Sequence, residues 1–303
     1  MLLKKISRLL NSDKINYIDL GSRYGLEHRY QALSELINYV SLDASDDKAG
    51  LAVCIGDGTR DTLYITSEPG CSSLYLPNND VLRKFEALDR YRIVDKVKVV
   101  TKRLDQALQD ELFASSFVNI DLQGADAFVV DEICSGGFDK RQILAFQFEV
   151  NFLPIYSDAP AASELLAIVE ENEDWVLQGF NRVCRWNPTN SGDFGILAWA
   201  DAVCFVKPRR LTEWLMVIDD AGARNGVALK YAALCIVMRN SEFLFEFYDN
   251  ASSQGVLDEE TLSIIRSSLK RMRILRHYNR CIGYCLNSFL RLFSKSAHAV
   301  IVE

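Results

Sequence analysis

Histidine is scarce in this chain of 303 residues, in which only His28, His277 and His298 occur. The eight cysteines are scattered, and no C-x-x-C pair is among them. Three separated imidazoles argue against a histidine-rich metal centre, and the cysteine spacing matches neither a structural zinc site nor a disulfide framework. The sequence therefore predicts reduced thiols, as in a cytosolic protein, and no metal ion.

Long apolar runs and excess basic charge are also lacking. No stretch of about 18 consecutive apolar residues occurs, so we expect no membrane-spanning helix. The start, MLLKKISRLL, has neither a long apolar core nor a small-residue cleavage site, so we do not expect a signal peptide. A net charge of -7 and a pI near 5.2 argue against a general nucleic-acid partner. We expect a cytoplasmic protein, with peripheral association at the inner face of the membrane as the alternative.

What the sequence does contain is an alternation of strand-like and helix-like runs, which predicts βαβ units and a mostly parallel sheet in an α/β fold. The predicted strands lie near Asn16–Leu20, Val40–Asp43, Leu51–Ile55, Leu63–Thr66, Val97–Thr101, Phe117–Asp121, Ile143–Val150, Trp175–Arg185 and Ile196–Val206. The predicted helices lie near Arg29–Asn38, Asn79–Asp89, Leu104–Phe113, Ala125–Ser135 and Ala161–Glu171.

The segment GDGTRDTLYITSEPGCSS predicts a hairpin-like insertion, because Asp57-Gly58 and Pro69-Gly70 both favour turns. After Pro208 the pattern changes to helices, which divides the chain into an α/β domain over 1–207 and a helical extension over 208–303.

The end of this extension has an amphipathic pattern. From residue 262 onward, apolar residues recur every three or four positions, and arginines and lysines occupy the other helical faces. The favoured interpretation is a helix packed on the core or on a second subunit, with the arginines in solvent. Contact with an anionic membrane surface is the alternative.

The most informative stretch is YIDLGSRYG, residues 17–25, where a short apolar run ends in Asp19 and is followed by Gly21 and Gly25. Two glycines after a strand let the backbone turn tightly and approach a ligand closely. The D-x-G-x-x-x-G spacing differs from the G-x-G-x-x-G of dinucleotide folds and favours a cofactor without a pyrophosphate. An ordinary strand-turn-helix junction is the other interpretation.

A second acidic residue, Asp43, ends the next predicted strand. An acidic side chain at this point of a nucleotide-binding sheet accepts the ribose hydroxyls. The alternative is a cap or turn residue, since Asp46 and Asp47 continue the polar cluster. Asp19 has an alternative too, as a carboxylate that only ties down neighbouring backbone amides.

From about Asn16 to Lys207 the chain resembles the FkbM-type methyltransferases. The segments that carry the resemblance are, in order, YIDLGSRYG, GCSSLY, VKVVTKRLDQAL, FVNIDLQGAD, FQFEVNFLPIY and WADAVCFV. The resemblance implies a class I methyltransferase fold, which is Rossmann-like with a mostly parallel seven-stranded sheet. It also implies S-adenosyl-L-methionine (SAM) as the cofactor and O-methylation of a hydroxyl on a saccharide, glycolipid or natural product.

The resemblance further implies roles for individual residues. The implied cofactor-binding residues are Asp19, Gly21, Ser22, Gly25, Asp43, Arg103, Leu104 and Asp105. Within this set Asp43 would hold the ribose, and Asp105 would lie near the adenine or cap the following helix. The predicted acceptor-binding residues are Ser73, Gln123, Asn151 and Tyr156. A turn would explain Ser73, Asn151 and Tyr156 without a ligand.

Methyl transfer to a hydroxyl requires a group that accepts the hydroxyl proton. The candidates are Asp121, at the end of a predicted central strand, Glu149, an isolated acid in an apolar strand, and His28, just after the glycines. A structural arginine or backbone amides would also satisfy Glu149. His28 is also a candidate for the first residue of a helix.

One departure from the family pattern bears on the chemistry. The family usually has a glutamate where this chain has Gln123, and Asp126 replaces a second glutamate. An amide side chain cannot take up a proton near neutral pH. If that glutamate supplies the base in the family, this protein has moved the proton-accepting role, altered its substrate or lost activity. The competing functions are a catalytically inactive scaffold that acts through its helical tail, as a homodimer or with another partner, and an N-methyltransferase.

Overall fold

The structure is a computed structural model that describes residues 2–21, 25–44, 50–108, 114, 116–136, 143–187 and 195–273. Its strands are β1 (Ile15–Leu20), β2 (Ile37–Asp43), β3 (Gly50–Ala52), β4 (Cys54–Ile55), β5 (Thr62–Thr66), β6 (Ile93–Lys98), β7 (Thr101–Lys102), β8 (Ser116–Ile120), β9 (Ile143–Asn151), β10 (Trp175–Trp186) and β11 (Ile196–Val206).

The α-helices are α1 (Leu2–Leu10), α2 (Asn79–Lys84), α3 (Leu88–Tyr91), α4 (Leu104–Ala107), α5 (Asp126–Ser135), α6 (Ala162–Glu170), α7 (Pro208–Met216), α8 (Ala221–Val237) and α9 (Ser241–Ser253). Two 3₁₀ helices cover His28–Leu33 and Pro69–Cys71, and a further helical segment covers residues 259–273.

Seven strands form one mixed sheet in the order β3-β2-β1-β8-β9-β11-β10. Neighbouring strands from β3 to β9 are parallel, whereas β11 is antiparallel to both β9 and β10. The predicted α/β class is confirmed. The chain runs from β1 outward to β3 and later continues from β8 toward the opposite edge, so the strand order reverses between β1 and β8. Open α/β sheets bind ligands at the carboxyl ends of the strands at such a switch point.

The core lies on both faces of this sheet. The first eight residues of β9, ILAFQFEV, are buried, as expected for a strand covered on both sides. The Phe205 ring of β11 has its centroid 5.8 Å from that of Tyr231 in α8 and 5.9 Å from that of Phe243 in α9. Helices that follow residue 207 therefore share one apolar core with the sheet.

The helical segment over residues 259–273 also packs on this core. Leu262, Ile265 and Leu269 are buried, whereas Arg266 and Lys270 are exposed. Its apolar face thus points inward, as the sequence pattern predicts. The rest of the predicted amphipathic tail, residues 274–303, lies outside the described residues. None of the helices in the described part of the chain is long and apolar enough to cross a membrane.

Three predicted helices were wrong in extent. The helix expected over Leu104–Phe113 ends at Ala107, because Leu108 is already in an extended conformation. A helix over Arg29–Asn38 was expected, but the 3₁₀ helix ends at Leu33 and β2 begins at Ile37. β2 pairs with β1, beginning with Ile37 opposite Ile15. This pairing, and not the helix-like sequence pattern, determines the conformation of these residues. The expected helix over Asn79–Asp89 divides into α2 and α3 around Glu86, whose φ of +55° is incompatible with a continuous helix.

The segment predicted as a hairpin insertion also pairs differently. β5 pairs with β6 in an antiparallel ladder, and only the single bridge between Tyr64 and Ser73 lies within the expected hairpin. β4 and β7 form a second small sheet. Residues 54–102, which we call the cap, contribute Leu63, Tyr75 and Tyr91 to a second apolar cluster beside the main core.

Candidate functional site

A cavity of about 560 Å³ lies where the carboxyl ends of β1, β2 and β8 face the cap. The strand ends and the segments after them contribute mainly polar or small residues, and the cap contributes an apolar wall. The lining residues from the strand ends include Asp19, Gly21, Leu42, Asp43, Asn119, Asp121 and Gln123. Those from the cap include Ile55, Leu63, Ile65, Ser72, Ser73 and Leu74.

Gly21 and Gly25 both line the cavity with positive φ angles, +78° and +74°. A Cβ on Gly21 would lie 2.0 Å from the backbone oxygen of Asp121, whereas one on Gly25 would meet nothing within 4 Å. The close approach at Gly21 is therefore made to the neighbouring chain segment after β8, and Gly25 faces open space. Ser22, the other predicted member of this loop, lies outside the described residues.

The Asp19 carboxylate is buried and accepts hydrogen bonds from side chains on the two neighbouring strands, β2 and β8. Tyr39 donates a hydrogen bond of 2.6 Å to Oδ2, and Asn119 Nδ2 donates one of 2.9 Å to Oδ1. Gln147 in turn donates to Asn119 Oδ1 at 2.8 Å and accepts from the Tyr30 hydroxyl at 2.6 Å. A polar row thus crosses β2, β1, β8 and β9 beneath the cavity and holds Asp19 in one orientation.

Two more predicted residues reach the same cavity. Asp43 ends β2 and is half-buried in the cavity lining. In the strand order, β2 and β8 flank β1 on opposite sides. His28 lies at the start of the 3₁₀ helix after Gly25 and also lines the cavity. The cavity therefore brings together the predicted ribose-binding residue, the two glycines and one candidate base.

Gln123 and Asp121 lie on the same loop, and Gln123 holds the Asp121 carboxylate in an arrangement that we call the clamp. Its Nε2 donates a 2.5 Å hydrogen bond to Asp121 Oδ1, and its Oε1 accepts one of 2.8 Å from the Tyr156 hydroxyl. The Ser73 hydroxyl donates to the Gln123 backbone oxygen at 2.6 Å. Gln123 has a φ of +52°, a conformation unusual for a residue other than glycine. Three of the predicted acceptor-binding residues, Ser73, Gln123 and Tyr156, thus form one support for the Asp121 carboxylate.

Three carboxyl groups next to this clamp have pKa values above those of ordinary carboxyl groups. Burial raises the pKa of Asp121 to about 6, and the Gln123 hydrogen bond opposes that rise. Burial and the charge of Asp121 raise the pKa of Asp126 to about 7. Burial and then the charges of Asp121 and Asp126 raise the pKa of Glu149 well above its ordinary value. Of these three, Asp121 lines the cavity and is placed to exchange a proton with a ligand.

Glu149 and Asn151 do not line the cavity. Glu149 is 8% exposed, and Asn151 Nδ2 donates to its Oε1 at 3.3 Å. Its backbone N–H donates to Asp126 Oδ1 at 3.3 Å. Asp126 also accepts from the Gly124 N–H at 3.0 Å, so it fixes the loop that carries Gln123. The structure thus places Glu149 beside the clamp as a buried carboxyl group.

Arg103, Leu104 and Asp105 lie at the start of α4 and do not line the cavity. The Glu132 carboxylate of α5 accepts hydrogen bonds from the Leu104 and Asp105 backbone N–H groups at 3.0 and 2.7 Å. Arg103 is 3.9 Å from the same carboxylate. Glu132 therefore occupies the amides of this helix start, and the role of these residues near the adenine stays a prediction.

Sequence reasoning missed an ion cluster at the rim of the cavity. Arg182 of β10 and Arg29 each donate to Asp201 Oδ2 at 2.7 Å, and Arg29 also pairs with Glu27 at 2.7 Å. Asp201 is an isolated acid within the apolar strand WADAVCFV, the same signal that singled out Glu149. Arg182 gives no such signal, because an arginine on a strand is ordinary on a solvated face.

In the part of the chain that the structure describes, no group of three or more histidine, cysteine, aspartate or glutamate side chains could hold a metal ion. Comparison with known proteins adds no relative: no family model, no curated protein and no solved structure matches the chain.

Glu149→Gln is expected to flatten the pH dependence of stability. Because the folded protein raises the pKa of Glu149 above its unfolded value, the stability that the protonated group contributes is lost as pH rises through the folded pKa. The amide cannot ionise, so the free energy of unfolding of the variant should rise relative to that of the wild type toward pH 9. Each unit by which the pKa is raised corresponds to about 1.4 kcal/mol in the free energy of unfolding.

Urea unfolding at pH 5, 7 and 9 measures this effect, with Glu170→Gln, an exposed carboxyl at the end of α6, as the control. Stability curves for Glu149→Gln and the wild type that stay parallel across this range would show that Glu149 ionises freely in the folded protein.

Proposed function

We propose that the chain is a SAM-dependent methyltransferase that methylates a hydroxyl group of a saccharide, glycolipid or natural product. The observation that carries the proposal is the convergence of Gly21, Gly25, Asp43 and Asp121 on one cavity at the switch point of the sheet. The order of the seven strands is compatible with the methyltransferase sheet that the sequence resemblance implies.

The cavity suits a nucleoside that carries a charged amino-acid chain. Its volume of about 560 Å³ falls within the range of small-molecule sites. Ile55, Leu63 and Ile65 of the cap offer an apolar wall to a purine ring. Asp43 would accept hydrogen bonds from the ribose hydroxyls, and the open space at Gly25 leaves room for the ligand.

The charge of the cavity favours the same cofactor. Its described lining residues include four carboxyl groups, from Asp19, Glu27, Asp43 and Asp121, against one arginine, Arg182. A cavity with this balance attracts a cationic ligand. When bound, SAM would supply an electrophilic methyl group on a positively charged sulfur.

Asp121 would accept the proton of the acceptor hydroxyl. Its pKa of about 6 leaves it ionised at neutral pH yet more basic than an ordinary aspartate. Gln123 holds one carboxylate oxygen by the 2.5 Å hydrogen bond, and Tyr156 fixes Gln123 in turn. This arrangement explains the departure from the family pattern, because a glutamine can orient a carboxylate that a second acid would repel.

The proposal is tested by incubating the protein with SAM labelled in its methyl group and a panel of saccharides, hydroxylated lipids and amines. We expect label to enter a hydroxylated acceptor. Transfer to amines alone would contradict the proposed O-methylation and support N-methylation. Saturable binding of S-adenosylhomocysteine (SAH) without transfer to any acceptor would support the scaffold instead.

A further inference from the structure

Arg182 is the sole lysine or arginine among the described residues that line the cavity. It comes from β10 at one edge of the sheet, whereas Asp43 ends β2 near the other edge, and Asp121 follows β8 between them. The cavity therefore has a positive group at the end opposite the predicted ribose ligand. Neither the sequence motifs nor the proposed proton transfer gives this arginine a role.

Two side chains of the protein itself hold the Arg182 guanidinium in place. Asp201, whose side chain is 3% exposed, accepts from Arg182 Nε at 2.7 Å and from an Nη at 3.3 Å. The guanidinium also lies over the Trp199 ring, with its central carbon 5.3 Å from the ring centroid. A cation fixed on two sides in this way is preorganised for binding.

Arg182 retains the capacity to bind an anion. Asp201 engages two of the five N–H donors of the guanidinium, and the side chain is 48% exposed. Asp201 also accepts a hydrogen bond from Arg29, so the charge of its carboxylate is shared between two arginines. The remaining donors form a planar array that matches the two oxygens of a carboxylate.

We propose that Arg182 binds a carboxylate inside the cavity. Given the proposed function, on which this inference rests, that carboxylate belongs either to the amino-acid part of the cofactor or to an acidic acceptor such as a uronic acid. Both sources present the same planar anion, and the position of Arg182 beyond Asp121 is compatible with either one.

The test compares wild type, Arg182→Gln and Arg182→Lys by calorimetric titration with SAH and with 5′-methylthioadenosine, which shares the nucleoside and sulfur but has no carboxylate. A second pair of titrations uses glucuronate and glucose, with and without saturating SAH. Arg185→Gln is the matched control, since Arg185 lies on the same strand outside the described cavity lining. Thermal unfolding checks that each variant folds, and Arg182→Lys keeps the positive charge beside Asp201.

If the carboxylate is that of the cofactor, Arg182→Gln weakens SAH binding at least about tenfold and leaves 5′-methylthioadenosine unaffected, with Arg182→Lys between the two. If it belongs to the acceptor, the wild type prefers glucuronate to glucose and Arg182→Gln removes that preference.

Two results would overturn the inference. One is an equal loss of affinity for both nucleosides, which would show that Arg182 only supports the shape of the cavity. The other is unchanged affinity for SAH together with no dependence of glucuronate binding on Arg182. Failure of the wild type to bind either nucleoside would instead reject the proposed function, and the glucuronate titrations without SAH would still decide the role of Arg182.

Discussion

Asp121→Asn is expected to lower the rate of methyl transfer by at least about 100-fold while SAH affinity stays close to that of the wild type. The amide keeps the shape of the side chain and a hydrogen-bonding partner for Gln123, but it cannot accept a proton. The loss should therefore appear in the catalytic rate constant. The measurement is transfer of labelled methyl from SAM to an acceptor from the panel, beside SAH titration.

The pH profile provides a second readout for Asp121. Because the pKa of Asp121 is raised to about 6, the wild-type rate should increase with pH through that region as the carboxylate becomes ionised. Residual activity of Asp121→Asn should lack this increase. Asp131→Asn, which changes an exposed carboxyl on α5, is the control. Wild-type rates in Asp121→Asn would assign the proton to another group, of which His28 is the remaining candidate in the cavity.

Gly21→Ala is expected to lower the free energy of unfolding far more than Gly25→Ala. Both glycines have positive φ, so alanine costs about 1 kcal/mol in conformational strain at either position. At Gly21 the new methyl group would also lie 2.0 Å from the backbone oxygen of Asp121. Because that neighbour is main chain, strands β1 and β8 would have to separate locally, which adds about 2 kcal/mol or more.

Urea denaturation of the two variants and the wild type measures the difference, with Gly25→Ala as the matched control for strain without overlap. Gly21→Ala should be destabilised by about 3 kcal/mol or more, or fail to fold. Equal destabilisation of the two variants would mean that the segments after β1 and β8 are farther apart than the structure shows.

Much of the sheet could be predicted from the sequence because its strands are buried apolar runs. β1, β9 and β11 begin and end within about two residues of their predicted bounds, as is usual for strongly patterned elements. The prediction of a helix over Arg29–Asn38 was wrong because the local sequence pattern does not determine the structure there. Its pattern is compatible with a helix, and only the ladder with β1 determines that Ile37 and the residues after it form a strand.

The candidate site was predictable only in part. Asp19, Asp43 and Asp121 follow strand-like runs, so the general rule for α/β sheets placed them at one edge. The role of Gln123 depends on its φ of +52° and on hydrogen bonds to Asp121 and Tyr156, none of which a sequence pattern encodes. The ion pair of Arg182 with Asp201 depends on the pairing of β10 with β11, which the sequence pattern did not predict either.

The proposed function depends on binding of the adenosyl cofactor in the cavity beside Asp43. Its most direct test is calorimetric titration of SAH into the wild type, Asp43→Ala and the control Asp131→Ala. Binding with one site per chain in the wild type and in Asp131→Ala, and its loss in a folded Asp43→Ala, is the predicted result. A folded wild type that binds no SAH, or equal affinity in Asp43→Ala, would contradict the claim.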